Sequence, residues 1–120
     1  MNKKDLIKHC LTYKNAYEDY PFDENWAAMR HTINKKAFAF LYQRNGKDYI
    51  NLKCEPTQGA FLRNSFEGIT SAYHMNKDHW ITVDLDGDVP WGILCDMIQK
   101  SYDLIKPKEK KRNGIQNNKI

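Results

Sequence analysis

Ala37-Phe38-Ala39-Phe40-Leu41-Tyr42-Gln43-Arg44-Asn45-Gly46-Lys47-Asp48-Tyr49-Ile50-Asn51-Leu52-Lys53 reads as two strands joined by a tight turn. From Ala37 to Tyr42 the rings of Phe38, Phe40 and Tyr42 alternate with Ala37, Ala39 and Leu41, the period of two that sends successive side chains to opposite faces of a sheet. Asp48 to Lys53 repeats the pattern. Between them Asn45-Gly46 supplies the two residue types that tolerate the positive φ angles of a two-residue hairpin turn. Upstream, Trp26 to Ile33 is a further strand, turned at Asn34-Lys35, so the three segments form a meander.

Outside this hairpin the pattern changes to a helical one. Leu6, Ile7, Cys10 and Leu11 make one apolar stripe and predict a helix over residues 3–13. Glu18 to Glu24 carries Pro21 and four acids and reads as a loop pinned by its aromatics. Pro56 suits the first turn of a short helix on which Ala60, Phe61, Ser65 and Phe66 share a face, closed by Gly68. Ile69 to Tyr73 and Trp80 to Asp84 are two more strands, and His74 to His79 is the polar connection of a second projecting hairpin. Asp86-Gly87-Asp88-Val89-Pro90 breaks the strand and offers a capping aspartate before Leu94, Met97, Ile98, Tyr102 and Ile105, which are spaced for a long helix. The expected architecture is α+β: a two-layer sandwich with a mainly antiparallel sheet of about five strands, the terminal helices on one face and one extra short helix. Residues 1–106 form the domain, and 107–120 read as a basic, disordered tail.

At 120 residues, 41% hydrophobic and 28% charged, the chain fits one globular domain with a narrow core. Its longest apolar runs fall far short of the roughly 20 residues of a membrane-spanning helix, and no signal-like segment follows Met1, so a cytoplasmic protein is expected. Cys10, Cys54 and Cys95 are an odd set without a C-x-x-C pair, which predicts free thiols. His74 and His79 with Cys54 lack the spacing of a zinc site, and Asp84 to Asp88 lacks the glycine and glutamate positions of a calcium loop. No G-x-S-x-G, G-x-G-x-x-G or G-x-x-x-x-G-K-[ST] string occurs. The expectation is a non-enzymatic protein with no catalytic residues, no metal and no cofactor.

Charge is segregated. Residues 106–120 hold six bases against Glu109, residues 30–53 six bases against Asp48, and residues 76–103 two lysines against six aspartates. Such local potential, more than the formal +4 of the whole chain, is what attracts a polyanion.

Tyr20-Pro21-Phe22, Asn51-Leu52-Lys53-Cys54, Tyr73-His74-Met75-Asn76-Lys77 with His79-Trp80, Val83-Asp84-Leu85-Asp86-Gly87 and Ser101-Tyr102-Asp103-Leu104 together resemble the MmcQ/YjbR family over residues 1–106. The resemblance implies a frataxin-type (CyaY-like) sandwich and DNA binding through a double wing. Frataxin-like iron binding does not carry over, because the acids cluster at Asp84 to Asp88 and not along the first helix. The family brings no fixed binding motif, so the candidate residues come from charge: Arg44, Asn45 and Lys47 at the first hairpin tip, Lys35 and Lys36 at the neighbouring turn, and Asn76, Lys77 and His79 at the second tip. Nucleic acid is the expected partner. The alternative is a protein-interaction or small-ligand module whose pocket is lined by Tyr20, Phe22 and Trp80.

Overall fold

A computed structural model describes residues 1–108. The order is α1 (Lys3–Cys10), β1 (Ala16–Asp19), β2 (Ala27–His31), β3 (Ala37–Arg44), β4 (Lys47–Lys53), α2 (Pro56–Ser65), β5 (Ile69–Ser71), β6 (Trp80–Asp84) and α3 (Trp91–Ile105). The sheet is antiparallel throughout, in the order β1-β2-β3-β4-β6-β5. It is the expected α+β sandwich, with six strands where about five were expected. The proposed tail lies almost wholly outside the described residues.

The hairpin that anchored the sequence reading forms as expected. Asn45 has φ 54° and Gly46 φ 77°, the paired left-handed residues of a type I′ turn, and the register runs from Arg44 opposite Lys47 to Ala39 opposite Leu52. The three rings of β3, however, do not share a face. Met29 lies opposite Ala39 but Arg30 lies opposite Ala37, so Phe38 is an extra residue in a β-bulge. Phe38 therefore joins Ala39 and Leu41 on the helix side, stacked on Tyr13 and edge-on to Tyr102. Phe40 and Tyr42 point to the opposite face and meet Trp26.

On the helix side Leu6, Cys10, Leu94, Met97, Ile98 and Ile105 close over Met29, Leu41, Ile50, Leu52, Ile81 and Val83. Asn2 caps α1 by accepting from the Asp5 amide at 2.9 Å. Buried Ser101 sews α3 to the sheet, donating to the Phe38 carbonyl and accepting from the Lys53 amide at 2.9 Å.

Five local expectations are corrected. The first helix ends at Cys10, because residues 11–15 turn through Asn15, at φ 61°, into β1. That edge strand takes in Glu18 and Asp19, assigned above to a loop. On α2, Gly59 and Leu62 face inward while Ala60, Phe61 and Ser65 are exposed, because the helix closes on the sheet through its side-chain-free Gly59. α3 starts at Trp91, with Pro90 in the N-cap position and no side-chain cap. Asp88 instead accepts the Glu67 and Gly68 amides at 3.0 and 2.8 Å, and a side chain on Gly68 would collide with it. Gly68 thus permits a close approach and does not terminate α2.

Candidate nucleic-acid interface

Antiparallel pairing decides which turns share an end of the sheet. The β3–β4 turn, the start of β2 and the end of β6 lie at one end; the β2–β3 turn, the end of β4 and the start of β6 lie at the other. Arg44, Asn45 and Lys47 are therefore separated from Lys35 and Lys36 by the whole of β3, about 24 Å at the rise of an antiparallel strand. The turns are not neighbours in space.

The first hairpin tip has already committed its charges. Lys47 Nζ bonds Asp84 Oδ2 at 3.0 Å, and this contact raises the lysine pKa above its ordinary value. The Arg44 guanidinium lies 4.0 Å from the Tyr73 ring centroid and 4.8 Å from that of Tyr49. Its pKa is raised above the ordinary value, chiefly by its contact with Tyr49. Around them are carboxylates. Asp48 accepts the Lys3 amide, Asp84 accepts the Asp86 amide, and Asp23 sits beside Asn25, which is bonded to Gln43. This end of the sheet is acidic despite Lys3, Arg44 and Lys47.

At the other end the bases gather. The β2–β3 turn is built around Asn34, whose side chain accepts the Lys36 amide and donates to the Ile105 carbonyl at 2.7 Å, clamping the turn to the C-terminus of α3. Lys35 closes the turn with φ 63° and its amide donating to His31 O at 2.8 Å. Lys35 and Lys36 are thereby exposed beside Lys106 and Lys108, which follow the negative end of the α3 dipole. The Tyr102 hydroxyl donates to the Lys14 carbonyl at 2.6 Å and brings Lys14 to the same place. Between these elements lies a cleft of about 600 Å³ lined by Tyr13, Lys14, His31, Tyr102, Lys106 and Lys108 among others. Of these cations, Lys106 is paired with Asp103 at 3.1 Å.

The second tip belongs to this end through its base, where the His79 carbonyl accepts the Cys54 amide and Trp80 lies opposite Lys53. Exposed Asn76, Lys77 and His79 sit here, with the Asp78 amide donating a hydrogen bond to Asn76 Oδ1 at 2.8 Å. The segment does not project as a wing. Tyr73 and His74 fold back over the open face, where the Asn51 side chain donates to Tyr73 O and the Tyr73 amide donates to Thr82 Oγ1. Of the eight candidate residues the structure thus places Lys35, Lys36, Asn76, Lys77 and His79 at one end of the sheet, and Arg44, Asn45 and Lys47 at the other. Lys14 and Lys53 were missed as contributors. Their placement depends on α1 and β4 ending at the same edge, which no local pattern reveals.

The remaining chemistry is quiet. All three cysteines are free; burial pushes the Cys10 thiol up to about 12 and raises Cys54 and Cys95 as well, which keeps them protonated at neutral pH. Among the described residues no three His, Cys, Asp or Glu side chains converge on a metal site, and no helix is long and apolar enough to cross a membrane. Of the residues expected to line an aromatic pocket, Phe22 does so, Trp80 only backs Phe40, and Tyr20 instead donates its hydroxyl to Glu18.

This fold and its element order can be set against known proteins. The sequence pattern of the YjbR family matches residues 11–104. The chain belongs to the YjbR family. Among its relatives, YyaQ of Bacillus subtilis strain 168 is 34% identical over 88% of this chain and 99% of its own length. YjbR of Escherichia coli K12 is 26% identical over 97% of this chain and 99% of its own. YjbR-type architecture also appears in a crystal structure of a Pseudomonas syringae protein, with a TM-score of 0.79 at 33% identity, covering 88% of this chain and all of the other. The Deinococcus radiodurans protein DR2400 superposes with the same TM-score of 0.79 at 30% identity, over 87% of this chain and 78% of its own.

Proposed function

We propose that this YjbR-family protein binds nucleic acid, DNA in the first instance, through phosphate contacts at the basic end of its sheet. The observation that carries this reading is the placement of Lys14, Lys35, Lys36, Lys53, Lys77 and Lys108 at one end of the sheet, with Lys14 and Lys108 lining its cleft, while Asp23, Asp48, Asp84, Asp86 and Asp88 crowd the other end. Lysines on turns and helix ends neutralise backbone charge without reading base edges, so binding is tolerant of sequence. The interface is one concave end of the sandwich, with the second loop as its rim, in place of two symmetric wings.

The experiment is a salt titration of duplex binding by fluorescence anisotropy. Each lysine that meets a phosphate contributes about 0.9 to the slope of log affinity against log salt. The triple variant Lys35→Ala, Lys36→Ala, Lys77→Ala is expected to lower that slope by about two to three, whereas Arg44→Ala with Lys47→Ala leaves it within about half a unit. Equal slopes for the triple variant and the parent, or no binding at low salt, overturn the proposal. A loss of slope confined to the Arg44/Lys47 variant would move the interface to the acidic end and overturn it equally.

A further inference from the structure

The open face of the sheet carries a row of rings. Tyr49 and Tyr42 lie 5.7 Å apart at 22°, and Tyr42 and Trp26 stack at 3.9 Å and 7°. At Trp26 the row turns a corner: Phe22 meets the indole at 82° and 6.1 Å, and Phe40 meets it at 62° and 6.3 Å. These two rings, Trp26, Asp23, His74 and Met75 line a cleft of about 320 Å³, at the small end of ligand pockets.

One end of the row already holds a cation, since Arg44 lies over Tyr73 and Tyr49. Among the described residues no lysine or arginine lies over Trp26, Phe22 or Phe40. That corner has instead a carboxylate. Asp23 is held by its Oδ1, which accepts the Asn25 amide at 2.8 Å, and stands beside the Phe22 ring. Steeply angled π faces do not make the parallel-walled slot that a flat aromatic ligand needs. One indole face is covered by Tyr42, so the corner offers a compact group the rest of the indole together with the Phe22 and Phe40 rings, and the adjacent carboxylate favours positive charge there.

We propose that this cleft binds an alkylated ammonium group, of the trimethylammonium type, held by Trp26, Phe22 and Phe40 with Asp23 as counter-charge. Methyl groups fill the aromatic corner, and the charge is spread over them within reach of the ring faces. Met75 closes one side with a polarizable thioether. The site is independent of the basic end: it carries the opposite sign and lies on the face of the sheet away from the helices.

The test uses choline and its neutral isostere 3,3-dimethylbutan-1-ol as probes, titrated into the full chain and followed by the indole N–H signals of Trp26, Trp80 and Trp91. The expected result is a saturable shift of Trp26, with Trp91 unmoved, and choline binding about two- to fivefold tighter than the isostere or better. Phe22→Ala and Asp23→Asn are each expected to weaken choline by a similar factor of about two to five. Phe22 is 71% exposed, and asparagine keeps the oxygen that accepts the Asn25 amide, so neither change disturbs folding. Equal affinity for the two probes, a Trp26 signal that choline does not move, or parental affinity in either variant overturns the proposal.

Discussion

Asn51 sits in the middle of β4 with no exposed surface, and every polar atom it owns is used. Its oxygen accepts the Tyr42 hydroxyl at 2.9 Å and the Thr82 hydroxyl at 2.7 Å, while its nitrogen donates to Tyr73 O at 3.1 Å. One carboxamide therefore joins three strands' worth of chain to the loop that covers the open face. Asn51→Leu would leave the Tyr42 and Thr82 hydroxyl protons without their acceptor and the Tyr73 carbonyl without its donor in a dry place, each costing about 1–3 kcal/mol. A loss of about 3 kcal/mol or more in chemical denaturation is expected, with faster hydrogen exchange in residues 72–76. The same residue shows what sequence does not reveal: its partners stand at sequence distances fixed only by strand pairing. Gly46 is the opposite case. The Asn45-Gly46 pair announces its turn, and the glycine has φ 77° with open space around it, so the cost of a side chain there is purely torsional. Gly46→Val is expected to cost about 1–2 kcal/mol and lower the melting temperature by on the order of 5 °C.

The strands that hairpin chemistry or strict alternation marks, β3, β4 and β6, were legible, as were α1 and α3 from their apolar stripes. β1 was not. An edge strand has only one neighbour and keeps charged residues such as Glu18 and Asp19 to discourage further pairing, which disguises it as a loop. The bulge at Phe38 was equally hidden, because alternation of identical ring types looks the same whether or not one residue is extra. Asp88 was read as a helix cap but ties down the loop after α2, since a capping residue looks like a cap whichever amides it meets. Its real contacts predict a pH dependence. The Gly68 amide first, and that of Glu67, hold its carboxyl below the ordinary carboxylate range. A lowered native pKa gives stability that is present above roughly pH 4, the unfolded value, and is lost as pH falls through the native one. Asp88→Asn is therefore expected to flatten the acid limb of a stability–pH profile and to leave the alkaline limb unchanged, as measured by denaturant midpoints. An acid limb identical to that of the parent would show that this loop tie is not the responsible group.

Across the whole molecule the charge blocks were visible in the sequence, but their geometry was not, because hairpins send adjacent turns to opposite ends. Residues 30–53 looked like one basic region and are split between both ends of the sheet. That split has a consequence in the range over which ions act. The screening length is about 10 Å at 0.1 M salt and about 30 Å at 0.01 M, while the two ends stand about 24 Å apart. Near physiological salt a polyanion seated on the lysines is shielded from the aspartates at the far end. In dilute buffer the screening length exceeds that separation, and the distant carboxylates begin to repel. A plot of log affinity against log salt is therefore expected to bend toward a plateau at its dilute end, and Asp84→Asn with Asp86→Asn to straighten it. Small as it is, the sheet is long enough for the surrounding electrolyte to decide how much of its own protein a bound polyanion feels.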